Sequence, residues 1–104
     1  MSAENLARFL RHANKAVRHD IDLGTLRAAV APTSLIDTVG LRATILTDAG
    51  AYTVVLVFGD TSTLVIQSTE LATGDILDFE FLAMYVLNAP QPGVTLSLVV
   101  DKRL

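Results

Sequence analysis

The chain of 104 residues has no cysteine and no tryptophan. Without cysteine there are no disulfides, no thiolate metal sites and no thiol nucleophile. Four phenylalanines and two tyrosines are the only aromatic residues, so a core must be built from Val, Leu, Ile and Ala. Charged residues are scarce at 18%. No uninterrupted apolar run approaches the roughly 20 residues that span a bilayer. The N-terminus carries no apolar stretch of the secretory kind, so no signal is expected there. A soluble product made in the cytoplasm is the expectation. Only two histidines occur, His12 and His19. There is no nucleophile elbow, no phosphate-binding Gly-rich loop and no zinc-ligand spacing. Catalysis is therefore not expected, nor is any cofactor or metal.

What is present suits one small, core-rich domain. Half the residues are hydrophobic, and the abundance of Val, Ile and Thr leans towards strands. The charge is unevenly placed. Arg8, Arg11, Lys15, Arg18 and Arg27 outweigh Glu4, Asp20 and Asp22 over residues 1–31. The remainder is acidic, and no Lys or Arg lies between Arg42 and Lys102.

The spacing predicts an amphipathic helix over Ser2–His19 in an N-terminal arm, residues 1–24. Ser2 is placed to cap it and Glu4 suits its first turn. Leu6, Phe9, Leu10, Ala13 and Val17 recur at three and four residues on one face. Arg8, Arg11, Lys15 and Arg18 form a basic stripe on the other, a possible contact for an anion. Helical basic faces bind phosphates, but this one has no aromatic platform beside it, and a solvated helix back is the plainer reading. Along such a helix His12 and His19 stand about 10 Å apart, too far to share a metal.

Residues 25–104 read as the β domain. Leu26–Ala31 alternates as a first strand ending at Pro32, and a short strand is open in "SLIDTVGL". After Arg42, turn signals arrive about every ten residues, the pattern of an all-β sandwich or barrel. The predicted fold is a mainly antiparallel β-sandwich, with a jelly roll among its forms, preceded by the helix.

"TVVLVFGDTSTLVI" reads as a hairpin turning at Gly59-Asp60. A two-residue turn pairs Val54 with Val65 and Leu56 with Thr63. Tyr52, Val54, Leu56 and Phe58 then share one face, and Val55 and Val57 share the other with Leu64 and Ile66. "ILDFEFLAMYVL" reads as one strand, with Leu82, Met84 and Val86 beside Glu80 on one face. Both faces of these strands are apolar, whereas antiparallel sheets commonly leave one face wet. One short helix cannot cover both, so a second chain is expected to cover part. The candidate interface residues are Leu6, Phe9, Leu10, Val55, Val57, Leu64, Ile66, Leu82, Met84 and Val86. Asp75, Asp78 and Glu80 cluster at a strand entry without the loop of a calcium site, and read as a charged end that blocks aggregation.

The layout, an arm at 2–19 and a β body at 25–101, resembles small virion proteins of tailed phages and gene transfer agents. Head-decoration and spike-base proteins are the types meant. The resemblance implies a non-enzymatic subunit that packs against itself and a larger protein assembly, with no membrane partner. Two other readings stand beside it: a ligand-binding β-sandwich, for carbohydrate through Tyr52 or Tyr85, and a nucleic-acid-binding module working through the basic helix.

Overall fold

A computed structural model of the chain describes residues 14–28 and 32–104. It is mostly antiparallel β, in two sheets. The strands are β1 (Asn14–Asp22), β2 (Gly40–Thr47), β3 (Thr53–Val57), β4 (Thr63–Gln67), β5 (Ile76–Leu77), β6 (Ala83–Leu87) and β7 (Thr95–Arg103). One sheet has the order β1-β7-β2-β5 and the other β4-β3-β6. Their inner faces supply a single core that includes Ile21, Ile45, Val54, Leu56, Met84, Val86, Leu96 and Leu98. Among the described residues no helix is long and apolar enough to cross a membrane.

The N-terminal helix expectation is overturned from Asn14 onward. Asn14–Asp22 is a strand, paired residue for residue with β7 from Arg103 to Thr95. The apolar spacing that suggested a helix ended at Val17. Val17, Ile21 and Leu23 also fit a period of two, and Ile21 and Leu23 are buried at 3% and 0% exposure. Burial against β7 and nine paired positions outweigh a modest helical pattern. Leu6, Phe9, Leu10, Arg8, Arg11 and His12 lie outside the described residues.

The predicted strand over Leu26–Ala31 is reduced to a bridge between Arg27 and Asn88, and residues 29–31 lie outside the described set. "SLIDTVGL" forms no strand before Gly40. The predicted long strand over 76–87 is two strands in different sheets. β5 pairs with β2, whereas β6 pairs with β3. Asp78–Leu82 carries the chain from one sheet to the other.

That crossing is fixed at Gly40. Its amide donates to the Phe81 carbonyl at 2.8 Å, and the Phe81 amide returns the bond at 2.9 Å. The Phe81 ring is buried and lies where a Cβ on residue 40 would sit, 2.3 Å from one ring carbon. Only glycine leaves room for this aromatic lock between the sheets.

Candidate interaction surface

The β3–β4 hairpin decides which side chains face out, and it differs from the expected one by a single residue. Val54 pairs with Ile66, Val55 with Val65, Leu56 with Leu64 and Val57 with Thr63. The loop holds three residues, Gly59-Asp60-Thr61. The Phe58 amide donates to the Ser62 carbonyl at 2.9 Å, and the Thr61 amide donates to the Phe58 carbonyl at 3.0 Å. Thr61 takes a left-handed conformation, φ 69°, as the last residue of such a loop requires. The Asp60 carboxylate accepts from the Ser62 amide at 3.0 Å and from its hydroxyl, which pulls its pKa below the ordinary carboxylate value.

A slip of one residue moves a whole strand's side chains to the other face. Leu64 and Ile66 accordingly turn inward and pack against the core beside Val54 and Leu56. They leave the candidate interface. Met84 and Val86 leave it too, at 0% and 4% exposure. Val55 and Val57 keep their outward place. Leu82, half exposed, lies just before β6.

The outward face of the three-stranded sheet is consequently Val55 flanked by Val65 and Tyr85, with Val57, Ala83 and Leu87 around them. Thr53, Thr63 and Gln67 supply its polar margin. Val65 is 53% exposed. Beyond the hairpin end, Phe79 stands edge-on to Phe58 with ring centres 6.0 Å apart, and is itself 45% exposed. No described residue carries Lys, Arg, Asp or Glu on the strand positions of this face. Val65 was absent from the sequence candidates because the two-residue turn placed it beside Val54, and Tyr85 because the opposite face of its strand was taken as the outward one. The signal was in the loop: an Asp with Ser two residues on favours a side-chain-closed turn that a bare Gly-Asp reading overlooks.

The other candidate sites come apart. On a strand, Lys15 and Arg18 point to opposite faces, so the basic stripe is not formed by these two. Arg18 pairs with Asp20 at 3.1 Å. Asp20 also accepts from the Ser97 hydroxyl at 2.6 Å, and the Ser97 and Arg18 bonds lower its pKa. Lys102 binds Asp37 at 2.8 Å and depresses that carboxyl likewise. Asp78 and Glu80 lie outside any strand. Asp75 instead accepts from the Ala72 amide, and Glu80 reaches Arg103 at 3.6 Å. Among the described residues no three His, Asp or Glu side chains gather as a metal site.

Tyr52 is buried and donates to Asp48 at 2.7 Å. Burial, then this bond, raises its pKa above the ordinary phenol value. It is a core tyrosine, not a platform for sugar. A shallow cleft of about 550 Å³ lies beside it, lined in part by Thr53, Gln67, Ser68, Asn88 and Gln91. Several of its polar groups are engaged with one another, whereas Asn88 Oδ1 is buried without a partner among the described residues. The Gln91 side chain accepts from the Ala51 amide at 2.7 Å and donates to the Ala51 carbonyl at 2.6 Å, and Thr53 donates to Gln67 at 2.9 Å. The cleft offers apolar wall with few free polar groups to orient a ligand.

Comparison with known proteins finds no matching family model, no matching curated protein and no matching solved structure.

Proposed function

We propose that this chain is a non-enzymatic assembly protein, a jelly-roll subunit that packs against copies of itself and a larger protein shell, in the manner of phage-like head-decoration or spike-base proteins. The observation that carries the reading is the outward face of β4-β3-β6. It is uncharged and apolar at its centre. Faces of that kind mark contacts with other proteins.

The strand order supports the finer form of the fold. Arg27, Leu35 and Gly40 bond in turn to Asn88, Met84 and Phe81, along the free side of β6. Counted as a degenerate second strand, they make the sheets read 1-8-3-6 and 2-7-4-5. That is jelly-roll order, an architecture used by viral capsid domains and also by lectins. The architecture alone does not choose between those uses. The burial of Tyr52 favours assembly over sugar binding.

The test is a double substitution, Val55→Lys with Val57→Lys, read by solution mass and by thermal unfolding together. The reading predicts a lower mass at nearly unchanged unfolding temperature. Unchanged mass would remove this face as the contact. Loss of folding would make it intramolecular core.

A further inference from the structure

We infer that β1 is a second contact surface, and that it pairs antiparallel with β1 of another copy across a two-fold axis, joining two four-stranded sheets into one. The inference rests on the assembly reading above but on different residues.

β1 is the edge of its sheet. Its nine residues pair with β7 in unbroken register, whereas the β2–β7 register shifts twice. Long, regular edges without proline or bulge are templates for another strand. Which main-chain groups face outward follows from two bonds. The Leu23 amide donates to Val94, and the Arg103 amide donates to Val39 on the opposite side of β7. Groups alternate along an antiparallel strand. Odd residues of β1 therefore point their amides and carbonyls at β7. Ala16, Arg18, Asp20 and Asp22 point theirs away, and no described residue pairs with those main-chain groups. The other long-side edge, β4, is shorter, and its Gln67 amide is already taken by the Glu70 carboxylate at 2.9 Å.

Two copies of β1 then have few ways to meet. Outward-pointing residues must face outward-pointing residues. Centring the axis on Arg18 sets arginine against arginine. Centring it on Asp20 sets aspartate against aspartate. Like charges directly opposite are destabilising. Centring it on His19 sets Arg18 against Asp20 of the second copy, twice, and Ala16 against Asp22. On the inner face the same register sets Val17 against Ile21, extending the core across the joint. It closes about eight main-chain hydrogen bonds. An isologous contact of this kind is self-complementary, as two-fold symmetry requires. It also brings the two His19 rings together on the axis. His19 Nε2 is buried without a partner among the described residues.

The chain has no cysteine, so a single introduced one reports cleanly. In this register the two residues 19 form a non-hydrogen-bonded pair with Cα atoms about 4.5 Å apart, within reach of a disulfide. His19→Cys, mildly oxidised at micromolar concentration, is expected to give a covalent dimer, while Val17→Cys gives none. Cross-linking of Val17→Cys in preference would overturn the register. Hydrogen exchange on the unaltered chain supplies a second readout. Amides of Ala16, Arg18, Asp20 and Asp22 are expected to gain protection as concentration rises. Fast exchange at every concentration would overturn the proposal. Protection independent of concentration in a single chain would show the chain's own remainder covering the edge, and would overturn it too. A mass above one chain that falls with Val55→Lys/Val57→Lys, without a link at residue 19, sinks this proposal and leaves the assembly reading standing. A strictly single-chain mass sinks both.

Discussion

Leu64 and Val65 are adjacent, similar in size and equally apolar, yet the hairpin register gives them opposite fates. Leu64 pairs with Leu56 and packs on the core. Val65 pairs with Val55 and is 53% exposed. Truncating a fully buried leucine costs about 2–5 kcal/mol, through lost transfer energy and a cavity. Leu64 is only partly buried, so Leu64→Ala belongs near the low end, about 2 kcal/mol. Val65→Ala removes two carbons from a half-exposed site and costs about 0.8 kcal/mol. The assay is equilibrium denaturation with urea at a concentration low enough to keep self-association out of the signal. A fall in midpoint at unchanged slope measures stability alone. The two-residue turn predicts the reverse order, because it puts Val65 beneath Val54 in the core. Val65→Ala costing more than Leu64→Ala would refute the register, and with it the composition of the proposed contact face.

Three further outcomes follow from single sites. Gly40→Ala sets a methyl group into the Phe81 ring and is expected to cost about 2 kcal/mol or more, read as a lower denaturation midpoint; a neutral effect would show that the ring moves freely. Thr61→Gly relieves a β-branched residue of a left-handed backbone and is expected to stabilise by about 0.5–1 kcal/mol, so a lower midpoint would contradict the three-residue loop. His19 is held below its ordinary pKa of 6.5, chiefly by burial and then by Lys102, against the opposing pull of Asp20. The unfolded chain therefore binds more protons just below pH 6.5, and stability present above that value is lost as pH falls through the folded pKa. His19→Gln is expected to flatten the stability profile just below pH 6.5; the depressed carboxylates of Asp20, Asp37 and Asp60 act lower, so an unaltered slope would deny His19 this role.

The β content was legible from turn spacing and the density of Val, Ile and Thr, although β2 begins before Arg42 and β7 runs on through Lys102 and Arg103. β1 was not, because "NKAVRHDID" satisfies both a helical and a strand period. Only the partner strand β7, about eighty residues away, decides between them. The split of 76–87 was hidden for a similar reason. "ILDFEFLAMYVL" contains no Gly, Pro or Asn to mark a break, and the crossing depends on Gly40 accepting the Phe81 ring. The outward apolar face was half legible. Val55 and Val57 were placed outward by parity alone, while the outward place of Val65 depends on a three-residue loop closed by Asp60 on Ser62. Leu64 and Ile66 were assigned outward by the two-residue turn, and Met84 and Val86 because both faces of their strand are apolar and sequence alone does not say which one meets the core.

The central claim is that this chain works by assembling. Light scattering on the unaltered chain across the micromolar range tests it most directly. The account predicts a mass above that of one 11.1 kDa chain, rising towards a fixed multiple with concentration. A constant single-chain mass throughout would contradict it.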